Sequence, residues 1–558
     1  MEKRIGVYVC ECGPNISEAL DIDRVVEAVS GMDGVVVADR YKLLCAGAGQ
    51  QHLVDQIKEH DLTHLVVAAC SPKEHESTFM SVCEKAGINP YMFQMANIRE
   101  QVAWVTPDKE QATERAIRHV RAAVGRVIRH TPLATREIEC NPDVLVIGGG
   151  IAGLSSAALL AGPERKVYLV EKEPALGGAV KGYEKLFPGM RSGSELVQRY
   201  QAQVEANDNI TVLTGTTVKS ILGFLGNFEI AVENGQGEGQ EFMVGAVVAA
   251  LGMKEDTESL GEYGYGEIDD VYTALEVEAM NLEGRLALKN GDAPKSVGII
   301  HCVGREHSEY CSSVCCMAGM KIGRYLKDKL GDVKVTGFYR DLCVPGCDAE
   351  QFYRETRDAG MEFVRVGRVE VHDSGNGIVL KCGTAEGDVK EEKVDMVVLL
   401  PSVQAAEDVG ALAEMLSLPL GPHGFMIEEH EKLAPVNTSM EGVYLAGGVT
   451  GPGTAEQTLS QSEAAAGRIL AGLVPGRKLE TEARVSEIRA DLCAGCRTCL
   501  TVCCYGAIDY DPMKGICVVN EVLCRGCGNC ASACPSGAAS HRHFTSNQIY
   551  REMAEILK

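Results

Sequence analysis

Eight of the chain's 23 cysteines stand in two runs of one pattern, Cys493-Ala-Gly-Cys496-Arg-Thr-Cys499-Leu-Thr-Val-Cys503 and Cys524-Arg-Gly-Cys527-Gly-Asn-Cys530-Ala-Ser-Ala-Cys534. Each reads C-x2-C-x2-C-x3-C, a spacing in which three thiolates of one run and the last thiolate of the other hold one [4Fe–4S] cluster. Cluster one is therefore expected on Cys493, Cys496, Cys499 and Cys534, and cluster two on Cys524, Cys527, Cys530 and Cys503. Such a pair relays single electrons.

The two runs resemble the bacterial two-cluster ferredoxins. Gly506-Ala507 and Gly537-Ala538 follow the last ligands as they do in ferredoxins, and Cys504 stands where proline is usual. Cysteines gather in two further places. Cys302-Val-Gly-Arg-Glu-His-Ser-Glu-Tyr-Cys311-Ser-Ser-Val-Cys315-Cys316 follows an apolar strand at Val297–His301. Four thiols at one strand end suit a third [4Fe–4S] cluster; a redox disulfide among them is the alternative. Cys10, Cys12, Cys45 and Cys70 fall at the ends of three N-terminal strands, and loops beyond the carboxyl ends of parallel strands converge on one crevice. They can hold a fourth cluster, or serve as small buried residues, since free cysteine is often buried. Cys83, Cys140, Cys343, Cys347, Cys382, Cys504 and Cys517 receive no role; Cys343 and Cys347 could at most form a regulatory disulfide.

A different chemistry is written in Asp143-Val-Leu-Val-Ile-Gly-Gly-Gly-Ile-Ala-Gly-Leu, a buried strand, a glycine turn and a helix start. Gly148, Gly150 and Gly153 have the G-x-G-x-x-G spacing that lets backbone approach a pyrophosphate at a helix N-terminus. Glu171, with Lys172 beside it, closes a second strand about 20 residues on, where an acid accepts hydrogen bonds from an adenosine ribose. Gly177 and Gly178 make a second close-approach turn. Thr438-Ser-Met-Glu-Gly-Val-Tyr-Leu-Ala-Gly447-Gly448 resembles the second FAD signature of two-domain flavoprotein disulfide reductases, with Gly448 where that family usually has Asp. By the same resemblance, a helix opened by Thr454 and Ala455 points its N-terminus at the isoalloxazine and favours negative charge there. Lys185, in Lys185-Leu-Phe-Pro-Gly, is the catalytic candidate, as a cation near a reduced flavin.

These residues need scaffolds, and 558 residues supply several. The expected divisions are an N-terminal α/β domain at 1–140, an FAD domain at 141–255 and 403–478, a Rossmann-like insert at 256–402, and a ferredoxin domain at 479–558. In the first, strands at Ile5–Cys10, Val35–Ala38, Leu65–Ala69 and Tyr91–Gln94 alternate with helices, one of them spanning Ser17–Ser30. Arg115–Arg129 reads as a solvated basic linker helix leading into a connector at 131–142. In the insert, Met317–Leu330 and Glu350–Ala359 read as helices, Lys334–Tyr339 and Val394–Leu400 as strands. No glycine turn follows its first strand; cysteines stand there instead, which argues against NAD(P)H as direct electron donor.

A net charge of −24 argues against binding to nucleic acid or an anionic membrane, which need a basic face. The longest apolar run is the strand–glycine-turn–helix itself, so no transmembrane segment is expected. The start, Met1-Glu-Lys-Arg-Ile-Gly-Val-Tyr, runs straight into a strand without an export signal, so the expected location is cytoplasmic, where clustered cysteines serve metal or redox chemistry.

Together the segments resemble the heterodisulfide reductase A subunits. The most specific stretches are Val9-Cys-Glu-Cys-Gly-Pro-Asn-Ile16, Ala69-Cys-Ser-Pro-Lys-Glu-His75, and Cys302-Val-Gly with Cys311-Ser-Ser-Val-Cys-Cys-Met317. The resemblance implies a thioredoxin-reductase-like, two-Rossmann-domain α/β flavoprotein with an N-terminal α/β domain and a C-terminal two-cluster ferredoxin domain. It further implies FAD, four clusters (about 16 irons), and bifurcation of electron pairs between ferredoxin and a disulfide-type acceptor. Implied partners are B- and C-like subunits, a hydrogenase-, formate dehydrogenase- or other oxidoreductase-linked donor module, ferredoxin, and a second copy of the chain. Larger members carry another two-cluster ferredoxin insert after the Phe-Pro turn; here Phe187-Pro-Gly-Met-Arg-Ser-Gly193 continues without cysteines. The rival readings are an NAD(P)H-dependent iron–sulfur flavoprotein and a passive electron-wiring component of a complex.

Overall fold

The computed structural model describes residues 3–135, 137–383, 389–480 and 482–558. The chain divides into two compact units, one of residues 1–138 with 480–558, the other of residues 139–479.

The first unit opens with β1 (Ile5–Cys10), α1 (Ile22–Ser30), β2 (Val35–Tyr41), α2 (Gly47–Glu59), β3 (His64–Ala69), α3 (Pro72–Ala86), β4 (Phe93–Asn97) and α4 (Lys109–Val127). The strands form a parallel sheet in the order β2-β1-β3-β4. A parallel sheet is covered on both faces, which is why β1 and β3 are buried at every residue. The helix expected over Ser17–Ser30 is interrupted: a single turn ends at Ser17, and Asp21 caps a new start by accepting the Arg24 N–H. The strand expected at Tyr91–Gln94 begins at Phe93 and runs on to Asn97.

The basic helix is not a solvated linker. Ala112, Ala116, Val120, Ala123, Val124 and Val127 of α4 recur at helical spacing and lie in the core with Val25 and Val29 of α1. Most of its arginines lie on the outer face, while Arg126 is buried with the apolar stripe.

The second unit runs β5 (Val144–Ile147), α5 (Ile151–Leu160), β6 (Val167–Val170), α6 (Gly193–Glu205), β7 (Ile210–Leu213) and, after a three-stranded antiparallel sheet, β8 (Ala246–Ala249). Then come β9 (Val271–Thr273), α7 (Ala274–Leu282), β10 (Ser296–Val303), α8 (Cys315–Leu330), β11 (Lys334–Tyr339), α9 (Cys347–Asp358), β12 (Met361–Arg365) and β13 (Met396–Pro401). The chain returns as β14 (Val443–Leu445) and α10 (Ala455–Gly472). Two five-stranded parallel sheets result, β7-β6-β5-β8-β14 and β9-β13-β10-β11-β12. In the first, the strand order reverses between β5 and β8, the place where such sheets open a ligand crevice.

The C-terminal stretch of the first unit holds β15 (Ser486–Ile488), β16 (Ile508–Asp511), β17 (Ile516–Val519), β18 (Ala539–His541) and α11 (Ser546–Ile556). Helix α11 packs on α4, where Gly125 leaves room for Glu555 and Arg551, and Arg126 pairs with Glu552 at 2.7 Å. No helix among the described residues is long and apolar enough to cross a membrane.

Candidate functional site

The glycine turn between β5 and α5 is shaped by close contacts. Gly148 has φ +109°, and a Cβ on it would lie 2.5 Å from the Ala250 carbonyl oxygen just beyond β8. A Cβ on Gly153 would lie 1.7 Å from the Gly148 carbonyl oxygen, so only glycine lets α5 start this close to the turn. Gly150 differs. Its φ of −75° suits any residue, and a Cβ there would meet only Gly178 Cα, at 3.8 Å. The room left beside Gly150 faces the first N–H groups of α5, which have no side-chain cap.

The second turn closes on the first. Gly177 donates its N–H to the Gly149 carbonyl at 2.8 Å, and a Cβ on Gly178 would lie 2.8 Å from Gly150 Cα. Buried Glu171 accepts the Gly149 N–H on Oε2 at 2.6 Å and the Glu173 N–H on Oε1 at 2.8 Å. Each carboxylate oxygen keeps a lone pair for a ribose hydroxyl. Open space beside glycine, uncapped N–H groups and an oriented acid fit the pyrophosphate and ribose of FAD.

The remaining flavin candidates sort by their partners. Gly447, at φ +76°, donates its N–H to Gln461 Oε1 at 2.8 Å, and Gly448 backs onto Met253. Thr454 caps α10 in a capping box with Gln457, leaving Ala455 as the first residue of the helix. Lys172 pairs with Asp408 at 3.1 Å. Lys185 is half-buried; its N–H donates to the Tyr325 hydroxyl at 2.9 Å and its carbonyl accepts from Lys321 Nζ at 3.0 Å. Sequence reading missed Lys321 itself, which is buried against Glu278 at 2.5 Å and lies 4.4 Å from the Tyr183 ring centroid. Burial pulls its amine down while Glu278 draws it back up. A lysine one residue from Met320 on the inner face of α8 is the sequence signal that could have found it.

The thiols of the C-terminal stretch form two groups. Cys493, Cys496, Cys499 and Cys534 line one cavity with Cys517, and Cys503, Cys524, Cys527 and Cys530 line another. The turns that point the thiols inward use left-handed backbone at Gly495, Arg497, Gly526 and Gly528. Backbone N–H groups of Cys517, Ala507, Ser486 and Ala539 point at Cys493, Cys503, Cys524 and Cys534 sulfurs at 3.3–3.4 Å. Hydrogen bonds of this kind raise cluster potentials, because the reduced cluster is the more negative form.

Cys10, Cys12, Cys45 and Cys70 meet in one core group, which β1 enters from its C-terminal end and β3 from its own. Arg99 Nη1 donates to Cys12 Sγ at 3.4 Å. Burial pushes the Cys70 thiol up to about 11 despite the Arg99 charge, and raises Cys10 as well. Iron would displace those protons on binding.

In the inserted sheet, Cys302 is the last residue but one of β10, and Cys311, Cys315 and Cys316 follow that strand. Cys302, Glu309 and Ser313 all have positive φ, of 62°, 60° and 55°, strain of about 1–3 kcal/mol each that persists only where surroundings over-determine it. Cys302 and Cys316 sulfurs approach the Asp341 carbonyl at 4.0 and 3.8 Å. Cys315 and Cys316 share a hydrogen bond that lowers the Cys316 thiol and raises its neighbour, and His301 adds to the lowering. The loop after β11 brings in a fifth thiol, Cys343, whose N–H meets Cys316 Sγ at 3.5 Å. Among the described residues no three His, Cys, Asp or Glu groups close on one point as a single metal ion requires. A cubane sets each thiolate on its own iron, so its ligands stand apart at the corners, and spaced thiols around a cavity suit it.

Two family models match the chain, pyridine nucleotide-disulphide oxidoreductase over residues 142–466 and 4Fe-4S dicluster domain over residues 492–538. One of the iron–sulfur A subunits of the CoB–CoM heterodisulfide reductase of Methanopyrus kandleri, the one numbered 2, is 34% identical, over 91% of this chain and 91% of its own. The A subunit of the H(2):CoB–CoM heterodisulfide,ferredoxin reductase of Methanothermobacter thermautotrophicus is 35% identical, over 100% of this chain and 98% of its own. Among solved structures, the thioredoxin reductase of T. acidophilum is 18% identical, covering 59% of this chain and 98% of its own with a TM-score of 0.42.

Proposed function

Since this chain belongs to the family of heterodisulfide reductase A subunits, we propose that it divides electron pairs between ferredoxin and a disulfide-type or other higher-potential acceptor held by partner subunits. It is an FAD- and iron–sulfur-dependent oxidoreductase and one component of a multi-subunit complex. The partners in this reading are B- and C-like subunits, a hydrogenase-, formate dehydrogenase- or other oxidoreductase-linked donor module and ferredoxin, with the chain as a homodimer in the cytoplasm.

One contrast carries the reading. The first parallel sheet ends in an open glycine cradle at Gly150. At the matching strand end of the second sheet stand Cys302, Cys311, Cys315, Cys316 and Cys343, with no cradle. Gly304, the glycine that follows β10, is packed shut, since a Cβ there would lie 2.4 Å from Asp256 Oδ2. That arrangement argues against a nicotinamide dinucleotide as direct electron donor. FAD, when bound, accepts electrons in pairs and releases them singly. The chain's own part is to hold the dinucleotide through Gly148, Gly150, Gly153, Glu171, Gly177 and Gly178. It also supplies thiols for clusters: the two ferredoxin-like groups, four of the five at 302–343, and Cys10, Cys12, Cys45 and Cys70. That makes four clusters and about 16 irons per chain.

The test is coupling. With FAD, iron, the B- and C-like subunits and a donor module present, ferredoxin reduction should require the disulfide acceptor. Equal ferredoxin reduction without it would reject bifurcation. Rapid anaerobic bleaching of the isolated chain's flavin by NADH or NADPH would replace this reading with the nicotinamide-dependent one.

A further inference from the structure

Helix α11 is built inside out. The side it turns to α4 is polar: Gln548 and Glu555 are buried there, and Gln548 Nε2 donates to the Arg129 carbonyl at 3.1 Å. The opposite side is apolar and open. Tyr550, Met553 and Leu557 are 68%, 51% and 80% exposed, and Ile549 and Ile556 are exposed beside them. At helical spacing these five fall within about a third of the circumference. An amphipathic helix ordinarily buries such a stripe. Single exposed apolar residues need no explanation, but a contiguous set marks an interaction site.

The cause of the inversion lies in α4, which presents Arg121 and Arg126 to α11. Glu552 pairs with Arg126 at 2.7 Å. Glu555 collects Arg121 at 3.7 Å, Arg551 at 2.8 Å and Lys558 at 2.9 Å. Turning α11 over would leave Arg126 buried without its carboxylate, a costly state. The acidic side is therefore held inward and the apolar side outward. The charges flanking the stripe already have partners, so it can lose its water without stranding one of them.

The spacing of the stripe favours one occupant, a second copy of itself. Read outward from Met553, the apolar positions are the same in both directions: Tyr550 and Ile556 lie three residues away, Ile549 and Leu557 four. Two antiparallel helices related by a two-fold axis at Met553 set Met553 against Met553, Tyr550 against Ile556 and Ile549 against Leu557. Every apolar side chain then meets an apolar one, as an isologous contact requires. The same pairing sets Arg551 against Glu555, and the two helix dipoles run opposed. Against a partner of different sequence, the mirrored order confers no advantage.

We propose that two copies of the chain dock through antiparallel α11 helices on a two-fold axis at Met553. This rests on the homodimer in the reading above and names where the copies meet. A helix of this length spans only about 16 Å, and its stripe falls short of the about 800 Å² per partner of a standard interface. The contact is therefore reversible and depends on concentration.

The experiment follows the full chain, purified anaerobically, by sedimentation velocity through a concentration series. Wild type is compared with Met553→Glu, Met553→Lys and an equimolar mixture of the two. Wild type should pass from monomer to dimer as concentration rises. Either variant alone sets like charges face to face and should weaken the dimer roughly tenfold or more. The mixture sets Glu against Lys at the axis and should restore it. Leu557→Ser, at the most exposed of the five positions, should weaken the dimer with no charge added. Iron and flavin content, and hydrogen exchange of α11 at low concentration, should match wild type and so show an intact fold. Undiminished dimers in every variant would keep the homodimer, place its contact elsewhere and overturn the proposal. Loss of dimer in both Met553 variants without recovery in the mixture would reject the two-fold axis at Met553. A wild-type chain that stays monomeric throughout would overturn this surface and the homodimer together; failure of Met553→Glu to bind the B- and C-like subunits would then assign the stripe to them.

Discussion

Gly150 and Gly178 face each other so closely that a Cβ on Gly178 would lie 2.8 Å from Gly150 Cα. The reverse substitution is roomy, because a Cβ on Gly150 would meet Gly178 Cα at 3.8 Å and nothing else within 4 Å. The protein's own atoms therefore leave room for a side chain at Gly150.

Gly150→Ala is expected to change the stability of the flavin-free protein by less than about 0.5 kcal/mol, while FAD affinity falls at least tenfold. Gly153→Ala should instead unfold the turn, since its Cβ would lie 1.7 Å from the Gly148 oxygen. Flavin absorbance after reconstitution, beside thermal unfolding, separates the two. Normal FAD binding by Gly150→Ala would move the pyrophosphate elsewhere.

Crossed ligation in the ferredoxin-like region is open to single substitutions. Cys534 lines the cavity of Cys493, Cys496 and Cys499, and Cys503 that of Cys524, Cys527 and Cys530. Cys534→Ser should perturb the signal that Cys496→Ser perturbs, and Cys503→Ser the one that Cys527→Ser perturbs. The opposite pairing in paramagnetic resonance spectra would reject the crossed assignment.

Arg99 gives the N-terminal thiol group a positive neighbour, 3.4 Å from Cys12 Sγ. Arg99→Leu removes that charge and donor, so the potential of a cluster on Cys10, Cys12, Cys45 and Cys70 should fall while iron content holds. The guanidinium is also paired with Glu100 at 2.7 Å, which tempers its field. A redox titration showing no downward shift would count against a cluster at this place.

Stability should depend on pH with opposite signs in the two units. In the first, burial depresses His64 from 6.5 to about 4. A lowered histidine contributes stability above pH 6.5 that is lost as pH falls toward 4. In the second, burial, with Glu276 adding, raises Glu255 from 4.5 to about 7. A raised carboxyl is better protonated in the folded chain, so this contribution declines as pH rises from 4.5 to 7, by at most about 1.4 kcal/mol per unit. Glu255→Gln should flatten the second trend and leave the first; hydrogen exchange measured across that range resolves the units.

Much of the site was legible because its determinants are short-range. The C-x2-C-x2-C-x3-C runs place three thiols within one loop, whatever packs around it. The turn at Gly148–Gly153 is a steric statement about neighbouring backbone. Glu171 lay one strand away and was still legible, because a strand–helix–strand unit has a nearly constant length. Other expectations needed correction where packing decides. The basic α4 is a core helix because its apolar positions, spaced around the arginines, found α1. The start of α1 moved to Ile22 because the Asp21 side chain competes successfully for the helix end.

By itself the sequence determined the chemistry available: thiols spaced for cubanes, glycines placed for a pyrophosphate, and a second Rossmann sheet with cysteines in place of its glycine turn. Local covalent spacing suffices for each. Only the tertiary structure decided which distant groups share those places. Cys343 reaches Cys316, and Cys517 reaches Cys493, because separate strands and loops end at the same point. Lys321 is buried against Glu278 because two helices press together. Such meetings depend on the register and packing of whole elements, which no local spacing encodes.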